Sequence, residues 1–318
     1  MLTEFEIIRR YFSPPTDHTI LAGGDDAALV RVTVGMDLAV TTDALVAGRH
    51  FFPDADPRGV GHKSMAVNLS DMAAMGARPR WATLSLTIPE ADERWLAAFA
   101  EAFLSLARRY EVDLIGGDTT RGPLAICVQV LGEVEQGKAL RRAGARPGHD
   151  LWVSGELGDA ALALAHVRGE FELHARDRDH AMQRLDLPQP RVAVGRGLVG
   201  LASSCIDVSD GLVADVGHVA ECSNVAIVVE WDAVPLSAVG ARYRDHPLVQ
   251  RAALAGGDDY ELAFTAAPAR RDEIAAVAAR VGVSLTRIGR VEQGGGVTVI
   301  DRAGRPIALA EAGFDHFR

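Results

Sequence analysis

Residues 140–149, LRRAGARPGH, form a basic stretch marked by glycine and proline that interrupts an otherwise regular alternation of strand-like and helix-like segments. Before it, residues 38–42, 81–88, 112–115 and 124–134 are rich in β-branched or alternating apolar residues and predict strands. Among them, 94–110 predicts an amphipathic helix, with Trp95, Phe99, Phe103, Leu106 and Tyr110 spaced for one buried face. A second mixed block follows the break. There 151–155, 225–230, 261–265, 285–291 and 296–300 read as extended, and 159–167, 191–202, 209–222 and 270–281 as helical. The polar run 177–189 fits a surface connection or a helix end. A chain of 318 residues broken in this way is expected to fold as two α/β units, 1–139 and 140–318. No short-period repeat argues for a solenoid. One coarse echo is present, GGDD at 23–26 and again at 256–259, which two related halves would explain.

The balance of charge narrows the function. Acidic residues outnumber basic ones by 43 to 33, a net charge of −10, which disfavours a general nucleic-acid binder because phosphate contacts need a basic surface. Cys127, Cys205 and Cys222 are odd in number and contain no Cys-x-x-Cys pair, so neither a disulfide framework nor a structural zinc site is expected. A reducing cytoplasm is the natural compartment. The opening MLTEFEIIRRYF mixes acids with apolar residues and lacks a signal-peptide core, and no apolar run is long enough to span a bilayer.

Within the first block, residues 67–79, VNLSDMAAMGARP, place one carboxylate among small and apolar residues. Asp56 followed by Pro57 predicts a helix start, and Gly76 with Pro79 predicts its end. Ser64, Asn68 and Asp71 then fall at i, i+4 and i+7 on one stripe, while Met65, Val67, Leu69, Met72 and Met75 supply apolar surface. A carboxylate there needs a donor, a cation or water, so Asp71 is either structurally satisfied or part of a site.

Asp71 is one of a series. Asp25 and Asp26 in GGDDAAL, Asp43 in TTDALV, Asp118 in IGGDTTRG, Asp207 and Asp210 in IDVSDG, and Asp258 and Asp259 in GGDDYEL all lie at strand ends or glycine-rich turns. Any one pair is ordinary turn chemistry. Their repetition at strand ends, where α/β sheets commonly build sites, favours a shared role. Carboxylates crowded without a counter-ion raise one another's pKa, and a cation removes that cost. Aspartate and threonine oxygens without cysteine suit Mg²⁺ rather than Zn²⁺, and Mg²⁺ in turn suggests phosphate ligands. Two nucleotide motifs fail: GEVEQGK at 132–138 lacks the Ser or Thr of a P-loop, having Ala139 there, and the G-x-G-x-x-G of Gly195, Gly197 and Gly200 follows a helix start rather than a strand. His50, after the Asp43 segment, is either structural or a neighbour of the metal region. Arg121 and Arg142 are candidate phosphate partners, with a surface role as the alternative.

Taken together, FEIIRRYF, GGDDAAL, TTDALVAGRHF, KSMAVNLSDMAAMGARP, LIGGDTTRGP, LRRAGARPG, IDVSDGL, GGDDYEL and GFDHF resemble, in order and nearly end to end, the thiamine-monophosphate kinases of the PurM-like superfamily. The resemblance implies two α/β domains with mixed sheets, a homodimer formed through the N-terminal sheets, and transfer of the ATP γ-phosphoryl group to thiamine monophosphate. By motif it implies that Asp26, Thr41, Thr42, Asp43, Asp71, Asp118 and Asp207 hold several Mg²⁺ ions, with Asp210 holding a further one. Asp71, Asp26 and Asp207 would be central to catalysis. It further implies that Gly117, Asp118, Arg142 and Ser209 form the ATP site, and that His50, Asp258 and Phe314 lie near thiamine monophosphate. One departure stands out, because the family usually has glutamate where this chain has Asp258. Selenide-activating relatives would want a reactive cysteine near the N-terminus, which this chain lacks.

Overall fold

A computed structural model describes residues 2–309 and 313. The chain divides into two compact units. One runs from the N-terminus to Met72 and adds Ala77–Gly137; the other holds Ala73–Gly76 and the chain from Lys138 onward.

In the first unit the elements are α1 (Glu4–Tyr11), β1 (Met36–Val46), α2 (Pro57–Ala74), β2 (Arg78–Ile88), α3 (Glu93–Arg109), β3 (Asp113–Arg121) and β4 (Ala125–Glu135). The strands form a mixed sheet of order β1-β4-β2-β3, in which only β2 and β3 run parallel. Asp56 starts α2 by accepting the Arg58 N–H at 2.9 Å, and Gly76 follows its end with φ +67°. The helix is buried almost all round: Met65, Leu69 and Met72 are core, and a Cβ at Gly61 would lie 2.3 Å from the Phe99 carbonyl of α3. Along α3, Trp95, Phe99 and Phe103 stack in series at centroid distances of 5.0 and 5.9 Å. Strand β3 runs six residues beyond the predicted end at 115, because its parallel pairing with β2 continues through Gly116 and Gly117 to Arg121. Glycine has low strand propensity, and only the neighbouring strand reveals the extension.

The second unit contains β5 (Asp150–Ser154), α4 (Asp159–Val167), α5 (Ala175–Asp186), α6 (Val192–Leu198), β6 (Ser204–Val208), α7 (Leu212–Ser223), β7 (Ala226–Glu230), α8 (Ala238–Arg242), α9 (Pro247–Ala255), β8 (Glu261–Ala266), α10 (Arg271–Val281), β9 (Leu285–Glu292) and β10 (Gly296–Ile300). Its mixed sheet has the order β10-β7-β9-β5-β8-β6. Val153, Ile206, Ile227, Val229 and Ile288 from the strands meet Val216 and Val219 of α7 in the main core. A smaller apolar cluster joins Leu162, Leu185 and Val249 of α4, α5 and α9.

Several elements differ from the sequence reading. The polar run around 177–189 is mostly α5, whose buried Asp177, Ala181 and Leu185 form a narrow stripe of spacing four. Helix α6 stops at Leu198, two residues before Gly200 adopts φ +80°. Helix α7 begins at Leu212 rather than 209, because the preceding N–H groups bond to a side chain, as described below. Helix α8, at five residues, is too short for a periodic signal, and β6 and α9 are not separate elements in the sequence reading.

Candidate functional site

In the first unit the acidic stripe is built between β1 and α2. β1 is an edge strand, so alternation turns Thr41 and Asp43 toward α2 and Thr42 to the opposite face. The Thr41 hydroxyl donates to Asp71 Oδ2. Asn68, fully buried, accepts the Asp43 N–H at 3.2 Å and donates to the Ser64 carbonyl at 3.1 Å, tying the strand edge to the helix. Of the three polar positions on the α2 stripe, Ser64 and Asn68 are thus committed to backbone, and Asp71 faces the strand. Thr42 instead accepts a hydrogen bond from Gln129 of β4 at 3.2 Å. The structure therefore brings Thr41, Asp43 and Asp71 together and turns the Thr42 side chain away from them.

Asp26 lies in an exposed loop held at both ends by buried carboxylates. Asp113 at the start of β3 accepts the Asp17 and His18 N–H groups at 3.0 and 2.8 Å and the Thr19 hydroxyl at 2.7 Å. Burial pushes the Asp113 carboxyl up, but these bonds more than offset it and leave it below the usual aspartate range. Glu133 accepts the Thr33 N–H at 2.7 Å. Between these anchors a Cβ at Gly23 would stand 3.8 Å from Gly116 of β3, so the first GGDD passes beside that strand. Further along β3, Gly117 has φ +147°, and a Cβ there would come 1.8 Å from the Leu84 carbonyl; only glycine fits. Asp118 follows it, exposed. His50 closes the turn after β1, its Nδ1 accepting the Val46 N–H at 3.0 Å.

In the second unit the candidates gather where β6 ends. Asp215, in the first turn of α7, accepts the N–H groups of Ser209, Asp210 and Gly211 at 3.0–3.1 Å. Burial, then the charges of Asp207 and Asp210, push its carboxyl up to about 7, against the pull of those bonds. The segment before β8 lies against this turn: the Asp258 N–H donates to the Ser209 carbonyl at 2.9 Å and the Tyr260 N–H to the Val208 carbonyl at 2.8 Å. Asp258 and Tyr260 both have left-handed backbone, φ +70° and +51°, and the Tyr260 hydroxyl donates to Asp258 Oδ1 at 3.0 Å. Asp207, Ser209, Asp210 and Asp258 therefore share one corner.

Sequence reasoning missed what holds this corner. Asp259, the last residue of the second GGDD, is buried and accepts the Gly158 N–H with both oxygens at 3.0 Å, and burial pushes its carboxyl well above the usual range. Glu261, fully buried, accepts from Ser154 at 2.6 Å, Arg184 at 2.9 Å and Arg191 at 2.6 and 2.5 Å. Period-two spacing from Asp259 to Glu261 was the available signal that both point inward. Arg142 is exposed, on the segment that adds to the edge of β6 through a 2.8 Å bond from the Cys205 N–H to the Arg141 carbonyl. Phe314 lies outside the described residues.

Among the described residues no three His, Cys, Asp or Glu side chains converge to hold a metal ion unaided. Their chemistry nonetheless fits Mg²⁺ shared with phosphate, since such ions take one or two carboxylates and complete their shell with water and phosphate oxygens. The crowding of Asp207, Asp210 and Asp215 is the kind of acidic surplus a cation relieves.

These two units match the two domain models of the AIR synthase related proteins, the N-terminal model over residues 24–134 and the C-terminal model over 146–302. The class is therefore that of two-domain AIR synthase related proteins. The thiamine-monophosphate kinase of Escherichia coli K12 is 41% identical over 318 residues, covering 99% of this chain and 98% of its own. Among solved structures, the thiamine-monophosphate kinase of Stenotrophomonas maltophilia K279a superposes with a TM-score of 0.85 at 46% identity, covering 89% of this chain and 91% of that one. AaThiL complexed with AMPPCP and TMP gives 0.78 at 32% identity, covering 90% and 89%. The chain belongs to the thiamine-monophosphate kinase family.

Proposed function

We propose that this protein transfers the γ-phosphoryl group of ATP to thiamine monophosphate, giving thiamine diphosphate and ADP. The observation that carries the reading is similarity along the whole length to thiamine-monophosphate kinases, at 41% identity. A relative complexed with AMPPCP and TMP supports both ligands. The acceptor is itself an anionic phosphate oxygen, so the chain need supply no strong general base. Its work is to bind two polyanions in line. Mg²⁺, when bound, screens their charge and that of the group in transfer.

In the first unit Asp43, Asp71 and the Thr41 hydroxyl would hold Mg²⁺, with Asp26 and Asp118 as further carboxylate ligands; Thr42 would contribute through its main chain, since its side chain is on the other face. In the second unit Asp207 and Asp210 would take the metal role. Gly117, Ser209 and Arg142 would contact the nucleotide. His50 and Asp258 would contact thiamine monophosphate, Asp258 oriented by Tyr260, with Phe314 beside the thiamine ring.

The partner we propose is a second copy of the chain, seated on the outer face of the first unit's sheet. There Leu38, Val40 and Val46 of β1 are 41%, 54% and 41% exposed on one face, an apolar surface of the kind that marks an interface. We place the protein in the cytoplasm, where free Cys127, Cys205 and Cys222 remain reduced; among the described residues no helix is long and apolar enough to cross a membrane. The test is direct: purified protein with Mg²⁺, ATP and thiamine monophosphate should yield thiamine diphosphate. Absence of that product, with ring closure of a formylglycinamidine substrate in its place, would overturn the assignment.

A further inference from the structure

One helix ties down two separated loops. At its start, Asp215 of α7 collects the N–H groups of Ser209, Asp210 and Gly211. At its end, the Ser223 hydroxyl accepts the N–H groups of Gly144 and Ala145, both at 3.1 Å, and donates to the Arg142 carbonyl at 3.3 Å. A serine hydroxyl has one proton and two lone pairs, so Ser223 is fully spent on the 142–145 segment. The segment has little freedom besides: Gly144 has φ +125°, a Cβ on it would lie 2.2 Å from the Ser203 carbonyl, and Ala145 is buried. A buried N–H such as that of Ala145 must keep an acceptor. The Arg142 guanidinium, by contrast, has no acidic partner among the described residues.

The spacing is fixed by the helix. Asp215 and Ser223 are eight residues apart, roughly 12 Å at 1.5 Å per residue. Along β6, the step from Cys205, which bonds Arg141, to Ser209 is roughly 13 Å at about 3.3 Å per residue. The two lengths agree, so strand and helix form a rigid frame with one anchored loop at each end. A ligand that touches both Ser209 and Arg142 bridges the two ends of this frame, which suits a nucleoside triphosphate.

We propose that α7 is a spacer setting the distance between the two nucleotide-contacting loops, with Ser223 as the positioning residue for Arg142. This rests on the reading of Arg142 and Ser209 as ATP contacts. Ser223 touches no substrate itself; it holds the backbone from which the guanidinium reaches out.

The test uses the shape-matched pair Ser223→Val and Ser223→Thr, which differ only in the hydroxyl, with Arg142→Ala and the Ser223→Val/Arg142→Ala double variant. Binding of a non-hydrolysable ATP analogue is measured by calorimetry without acceptor, alongside the KM for each substrate. Ser223→Val should weaken nucleotide binding about fivefold, the worth of an ordinary hydrogen bond, and raise the KM for ATP to match. Ser223→Thr should stay within about twofold of the parent, and the KM for thiamine monophosphate should not move. In the Arg142→Ala background Ser223→Val should have no further effect. The inference is overturned if Ser223→Val binds the analogue like the parent, or weakens it equally with and without Arg142. It is overturned at its premise if Arg142→Ala itself binds normally. A parent protein that makes no thiamine diphosphate would instead defeat the kinase reading, a separately visible result.

Discussion

Replacing Glu261 by glutamine keeps the side chain's volume and removes its charge. In the parent, two arginines share this one carboxylate: Arg191 grips both oxygens at 2.6 and 2.5 Å and Arg184 adds a third contact at 2.9 Å, while Ser154 donates at 2.6 Å. The Glu261 side chain is 0% exposed, and those of Arg184 and Arg191 are 19% and 17% exposed. Solvent therefore compensates the arginines only in part when the carboxylate is neutralised. Breaking a buried ion pair from one side costs about 3–5 kcal/mol. Glutamine still accepts from Ser154 and from one guanidinium, which points to the lower end, about 3 kcal/mol. In a unit of this size that corresponds to a fall of roughly 6–12 °C in Tm. Urea titration and thermal melting at pH 7 measure it. The geometry also ranks the partners, since Arg191→Met removes a two-pronged grip and should cost more than Arg184→Met. A loss below about 1 kcal/mol for Glu261→Gln, or the reverse ranking of the arginines, would refute the idea that this network holds the unit together.

Asp71→Asn retains an acceptor for the Thr41 hydroxyl but loses its charge, so turnover should fall by a factor of about 100 or more while the melting temperature stays near that of the parent. Parent-like turnover would make Asp71 purely structural. Gly117→Ala would drive a Cβ to within 1.8 Å of the Leu84 carbonyl at φ +147°, so β2 and β3 must separate locally, at a cost of about 2 kcal/mol or more, read by thermal melting. Asp113 has a folded pKa below its unfolded value, so its contribution is present above about pH 4 and is lost as pH falls through the folded pKa. Asp113→Asn should therefore destabilise at neutral pH and flatten the drop in unfolding free energy on acidification, as urea titrations between pH 7 and 2 would show.

The class of fold was legible because strand and helix periods repeat on both sides of the 140–149 break, and the two units do carry mixed sheets with helices. What escaped depends on partners distant in sequence. Nothing local marks β3 as continuing through Gly116 and Gly117; the pairing with Thr83 and Leu84 decides it. The same division runs through the acidic residues. The spacing of Ser64, Asn68 and Asp71 showed a polar stripe, but which member meets β1 depends on the facing strand, and Asn68 bonds the Asp43 backbone 25 residues away. Alternation within β1 separates Thr41 from Thr42, although a motif read as a string treats them alike.

The repeated GGDD makes the point most sharply. In the first copy Asp25 accepts the next residue's N–H in an exposed loop that depends on Asp113 and Glu133 for its position. In the second, Asp259 is buried against Gly158 and itself supplies the anchorage, leaving Asp258 at the corner with Ser209. Identical letters thus take opposite parts. An aspartate in a glycine turn can be recognised from sequence as a group that needs a partner. Whether that partner is a backbone amide, a guanidinium or a ligand is settled by which strand ends beside it.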